Sequence, residues 1–179
     1  MSRRIMKVYE RHPAIRHAFA VVCFMAAVAP FTVAEADTRT YMLVPGVAGA
    51  SLDKDHAGWI EASAFSLKLT RNYCSGLTIR KELDIASPAL SAAAVLAQRF
   101  KTIELESEQG SENRQVFLKL ALSRARIASV DTGVSGGTEP LTETLVVRAG
   151  EVKISYYPQN ADGSLGEPVE SVISCDTPP

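Results

Sequence analysis

The segment T-I-E-L-E-S-E-Q-G-S-E-N-R-Q-V-F-L-K-L-A-L, residues 102–122, decides the fold class. Ile103 and Leu105 alternate with Thr102, Glu104 and Glu106, and Val116, Leu118, Leu120 and Leu122 resume the alternation beyond Gln109-Gly110-Ser111. A two-residue period marks a strand with one buried and one wet face. A glycine turn between two such runs predicts a hairpin. The register changes near Ala125, before Ile127.

The same period extends outward from this hairpin. Tyr41 to Val47 is a short apolar run closed by Gly46 and Gly49. Phe65, Leu67 and Leu69 alternate with Ser66, Lys68 and Thr70, and Leu77, Ile79, Leu83 and Ile85 share a face against Thr78, Arg80, Glu82 and Asp84. Val152, Ile154 and Tyr156 oppose Glu151, Lys153 and Ser155. Ser135-Gly136-Gly137 and Asn160-Ala161-Asp162-Gly163 separate the runs as turns. One helix interrupts them, with Ser87 expected as N-cap and Pro88 in the first turn. Leu90, Ala93, Ala94, Ala97 and Phe100 form its apolar stripe. Many short strands closed by Gly, Asn and Asp turns predict a mainly β sandwich or barrel in one domain.

Residues 1–36 read as a secretory signal peptide, leaving 37–179 as the folded domain. Arg3, Arg4, Lys7, Arg11 and Arg16 precede the apolar run Ala18 to Val28, and Ala34-Glu35-Ala36 fits a signal-peptidase site, with cleavage expected before Asp37. Cys23 departs with that segment and leaves Cys74 and Cys175, which an oxidising compartment permits to pair or to stay as two buried thiols. The whole chain has 19 basic and 20 acidic residues; removing the five basic and two acidic ones of positions 1–36 leaves 14 and 18. A mildly acidic body lacks the basic face that nucleic acid requires and any polybasic membrane anchor.

The inventory of reactive groups argues against an enzyme. His56 is the only histidine beyond position 36, so no histidine cluster can hold a metal, and two cysteines cannot build a structural zinc site alone. Asp53-Lys54-Asp55-His56-Ala57-Gly58 begins like a calcium loop, but Ala57 and Ala64 stand where ligands are needed. Ser51, Asp53 and His56 lack the setting of a catalytic triad. No phosphate-binding glycine loop is present, and no cofactor is expected. His56 reads as a solvated or interface histidine and Trp59 as a strand-edge core residue. Glu104, Glu106, Glu108 and Glu112 read as a solvated face, or as the lining of a pore for a basic partner.

Four motifs occur in order between about residues 40 and 175: Tyr41 to Ser51 with Asp53-Lys54-Asp55-His56 and Trp59-Ile60-Glu61; Arg80 to Asp84 running into Ser87-Pro88-Ala89-Leu90; Ala128 to Gly137 with Pro140 to Leu145; and Lys153 to Tyr156 with Asp162 to Gly166. Taken together they resemble the Hcp family, the tube proteins of type VI secretion. The resemblance implies a compact two-sheet β-barrel with one flanking α-helix, six copies closing into a ring, and a lumen able to carry effector proteins. His56, Trp59, Ser135, Gly136, Gly137 and Glu139 are then the candidate interface or loop positions. Arg148-Ala149-Gly150 departs from the family pattern and suggests a bulged strand. Two functions follow: a structural ring subunit that meets effector or secretion-apparatus proteins, or an exported monomeric binding module on the same fold.

Overall fold

In the computed structural model, residues 37–70, 73–110, 113–133 and 140–175 are described. The elements are β1 (Thr38–Leu43), β2 (Ile60–Ala62), β3 (Ala64–Thr70), β4 (Tyr73–Glu82), α1 (Ser87–Val95), β5 (Arg99–Gln109), β6 (Gln115–Gly133), β7 (Thr142–Arg148), β8 (Glu151–Tyr156) and β9 (Val169–Ser174). The quoted segment is the β5–β6 hairpin, paired from Arg99↔Arg126 to Gln109↔Gln115.

All strand pairs are antiparallel and run in the order β2-β1-β5-β6-β7-β4-β3, with β8 and β9 branching from β6. The path closes on itself. β2 and β3 are one extended run interrupted at Ser63, its first part paired with β1 and its second with β4. The Ser63 N–H donates to the Arg80 carbonyl at 2.8 Å and carries the ladder across the join. The circuit thereby returns from β2 through β1, β5, β6, β7 and β4 to β3, the kind of closure by which a barrel limits its exposed strand edges.

The branch lies at Arg124. This residue has φ +53°, and its guanidinium donates to the Gly150 carbonyl at 2.8 Å. Before it, β6 pairs with β8 from Leu118 to Ser123; after it, with β7 from Arg126 onward. The apolar register moves from Leu120 and Leu122 to Ala125 and Ile127, all buried. Ala149-Gly150 lies opposite, so the expected irregularity there is a break between β7 and β8. A side chain at Gly150 would collide with the Arg124 guanidinium. The two expected sheets are thus two wings of a single antiparallel sheet hinged at this point.

The core fills the barrel with Met42, Val44, Ile60, Leu77, Ile79, Ile103, Leu105, Leu120, Leu122, Ile127, Leu145 and Val147, while Leu90 and Ala93 bring α1 against it. Two details of the sequence reading are corrected. The N-cap is Ala86, and Ser87 lies within the helix with its hydroxyl turned into a polar network. The apolar stripe ends with the helix, because Ala97 takes φ +50° and Phe100 belongs to β5. Leu83 and Ile85 also leave the inner face after β4 ends, and Lys81 follows Leu77 and Ile79 into the interior instead.

Candidate functional site

The loop joining β1 to β2, residues 44–59, is held by its own backbone. Gly49 N–H donates to the Gly58 carbonyl at 2.8 Å, Ser51 N–H to the Trp59 carbonyl at 3.0 Å, and Gly58 N–H to the Ser51 carbonyl at 2.9 Å. These bonds draw the two arms so close that a side chain on Gly49 would overlap the Trp59 carbonyl. Asp53 shapes the tip: its Oδ1 accepts the N–H groups of Asp55 at 2.9 Å and His56 at 3.1 Å. Leu52 stands outward there, 96% exposed.

His56 anchors the loop to the barrel. Its ring is 1% exposed, stacks on Tyr41 with centroids 4.2 Å apart, and meets Trp59 edge-on at 5.0 Å. Nδ1 lies 3.2 Å from Asp53 Oδ1 and Nε2 lies 3.1 Å from Glu106 Oε2. Glu106 spends its other oxygen on Lys119, at 2.7 Å. The ladder supplies these partners, because Tyr41 pairs with Glu106 and Glu106 with Lys119 across three adjacent strands. Glu108 completes the cluster: its Oε2 is 4.0 Å from His56 Nδ1, and its Oε1 faces the Tyr41 hydroxyl at 3.4 Å and Arg114 at 3.6 Å.

The electrostatics follow from this crowding. Backbone N–H donation from Asp55, with help from His56, holds the Asp53 carboxyl below its usual value against a desolvation cost. Burial raises the Tyr41 phenol, with the Glu108 and Asp53 charges adding to it and Arg39 opposing. The Glu106 carboxylate raises Lys119. A carboxyl depressed in the fold contributes stability above its unfolded value and loses it as pH falls through the folded one. The loop anchor is therefore expected to weaken on acidification below pH 4, and Asp53→Asn to flatten that acid limb when Trp59 fluorescence is followed against pH. An unchanged acid limb in the variant would show that Asp53 does not carry it.

Several sequence expectations change here. His56 is buried, not solvated, since its own loop and β5 enclose it. Trp59 is half-buried just before β2. Glu106 and Glu108 anchor the loop, and only Glu104 of that described face is exposed. No His56–Ser51 pair forms, because the Ser51 hydroxyl accepts the Asp53 N–H at 3.2 Å while carboxylates engage both ring nitrogens. Cys175 is disulfide-bonded. Cys74 lies in β4, with its side chain outside those described, as are Ala34, Ala36, Glu112, Ser135, Gly136, Gly137 and Glu139.

Sequence reading missed a second polar node. Lys81 and Glu143 face each other across β4 and β7, both fully enclosed, with Nζ to Oε1 at 2.8 Å. The same Nζ reaches Asp84 Oδ1 at 2.7 Å, the Glu82 carbonyl at 2.6 Å and Ser87 Oγ at 3.2 Å. Ser87 Oγ donates to Glu143 at 2.9 Å, so the node ties the start of α1 to two strands. The one available signal was that position 81 shares the two-residue period of Leu77 and Ile79. A third polar feature is a cleft of about 270 Å³, lined by Glu104, Glu106, Lys119, Lys153, Ser155 and Glu170 among others.

Comparison with known proteins covers this architecture from β1 to β8. The family described as "Type VI secretion system effector, Hcp" matches residues 41–156. Hcp1 of Pseudomonas aeruginosa is 30% identical over 146 residues, covering 73% of this chain and 90% of that protein. A solved structure described as a type six secretion system protein superposes with a TM-score of 0.69 at 28% identity, over 77% of this chain and 96% of that one. Hcp1 of Salmonella typhimurium shares the fold, with a TM-score of 0.67 at 20% identity over 76% and 94% of the two chains.

Proposed function

On the premise that the chain belongs to the Hcp family of type VI secretion proteins, we propose that it is a ring-forming structural subunit whose work is shape and binding. The observation that carries this reading is the family match from residue 41 to residue 156, which runs from within β1 to the end of β8 and takes in the β1–β2 loop and the helix. Six copies in a ring, with a lumen for effector cargo, is the assembly we propose. Features of the surface support association. β9 pairs with β8 alone and carries exposed Val169 and Val172, while Leu83, Ile85 and Leu141 stand exposed together where β4 ends and β7 begins. An open strand edge and apolar patches invite a neighbour, and a head-to-tail contact closes into a ring when its rotation permits. Among the described residues, no helix is long and apolar enough to cross a membrane.

A second reading is a periplasmic or secreted monomer that keeps the fold and binds another protein. The disulfide at Cys175 favours an oxidising compartment for either reading. We propose Cys74 as its partner, and 1–36 as a secretory signal removed before Asp37. One preparation tests these points together. Light scattering behind a sizing column is expected to give six times the mass of the chain, whereas a monomer at every concentration would overturn the ring and leave the second reading. Intact mass is expected to begin at Asp37 and to lack two hydrogens; a retained leader or two free thiols would overturn export with pairing.

A further inference from the structure

We infer that Asp53, His56 and Glu108 form a site for one divalent transition-metal ion of the zinc class, bound through His56 Nδ1 and one oxygen of each carboxylate. Sequence reading dismissed a metal here because only one histidine was at hand. The fold adds a carboxylate from β5 that lies about fifty positions away in the chain. The three donor atoms lie within 4.8 Å of one another, with Asp53 intermediate in burial and the other two buried. Ligands on a tetrahedral zinc with bonds of about 2.0–2.1 Å stand about 3.3 Å apart. Nδ1 and Asp53 Oδ1 are already at 3.2 Å, and Glu108 Oε2 stands 4.0 Å from Nδ1, so its carboxylate must turn toward the ring to share an ion.

The surroundings favour metal as well as the spacing does. Glu106 Oε2 lies 3.1 Å from Nε2, a carboxylate placed to hold the ring's orientation as outer-shell partners do in metal sites. Tyr41 and Arg114 engage Oε1 of Glu108, which leaves Oε2 for the ion. Three carboxylates converge, against Lys119 on Glu106 and an Arg114 that is shared with Asp37. The two carboxylates would balance the charge of a divalent ion held there. An imidazole donor selects a transition metal over calcium or magnesium. The part-exposed Asp53 side supplies the way in and room for a water ligand. This site is independent of ring formation, and a monomer would carry it equally.

The test uses the full chain with Cys23→Ser, His12→Ala and His17→Ala, so that His56 is the sole imidazole. After stripping with chelator, zinc is titrated calorimetrically. Expected is one zinc per chain, with visible absorption bands when cobalt replaces zinc. Asp53→Asn and Glu108→Gln are each expected to weaken binding about 10–100-fold, and Glu106→Gln, which only orients the ring, by about 10-fold. Metal-free melting and Trp59 fluorescence establish that each variant is folded; should one unfold, the cobalt spectrum of the parent decides. Absence of binding at millimolar zinc overturns the site. So does equal binding by folded Asp53→Asn and Glu108→Gln variants, because the ion would then sit elsewhere.

Discussion

Lys81→Met is expected to lower the unfolding free energy by about 3–5 kcal/mol, the usual cost of stripping one partner from a buried ion pair. Lys81 and Glu143 are both sealed from solvent, and one Glu143 oxygen is already without a partner. Removing the ammonium leaves that carboxylate uncompensated. It also frees Asp84 and Ser87, which set the entry to α1. Replacing both members, as Lys81→Met with Glu143→Leu, is expected to restore most of the loss, since a matched apolar pair avoids the desolvation that the ions must overcome. Urea unfolding, followed by far-ultraviolet circular dichroism and by the single tryptophan, measures both. A single-variant loss under about 1 kcal/mol, or a double variant no better than the worse single one, would show that the pair does not join these elements.

Gly49→Ala is expected to be the second severe change. The new methyl would occupy the space of the Trp59 carbonyl, so one arm of the loop must move, and the Gly49–Gly58 and Ser51–Trp59 hydrogen bonds go with it. About 3 kcal/mol or more is the expected cost, at the high end for point substitutions. Gly58→Ala is the control. It has open space around it, and its φ of +76° alone sets the penalty, which is about 1 kcal/mol. Trp59 packs on His56, so its emission is expected to shift in the Gly49 variant before the barrel unfolds. Equal losses in the two variants would mean that the close approach of the arms is not what position 49 protects.

The alternation of Ile103, Leu105, Leu118, Leu120 and Leu122 made the central hairpin legible, because a two-residue period maps directly onto one face of a strand. The mainly β class was legible for the same reason, repeated along the chain, while the choice of a barrel over a sandwich rested on the family resemblance. Lys81 was hidden because the pattern is read from apolar residues, and a charged side chain on the inner face looks like an interruption. Its justification is Glu143, opposite it on β7 and invisible to local reading. Ser87 had the composition of a cap, yet its hydroxyl is taken by that same network. His56 followed the same logic. Beside Asp53 and Lys54 it looked solvated, while the residues that bury it, Tyr41 and Glu106, come from β1 and β5. The family resemblance carried the overall fold and gave no access to these pairings.

The run of residues 60–70 that pairs with β1 on one side of Ser63 and with β4 on the other also sets the order of assembly. The β5–β6 and β3–β4 hairpins form from neighbouring segments, but Leu43 must wait for Glu104 before β1 has its second partner. Loop-closure entropy is spent before that long-range pairing returns any contact, so the seam zips last and the rate is governed by connectivity, on the order of milliseconds to seconds for β folds of this kind. Until then β1 and the 60–70 run present open edges to any other chain. The vulnerable interval of this protein is therefore kinetic, and it ends when β1 settles between β5 and the 60–70 run.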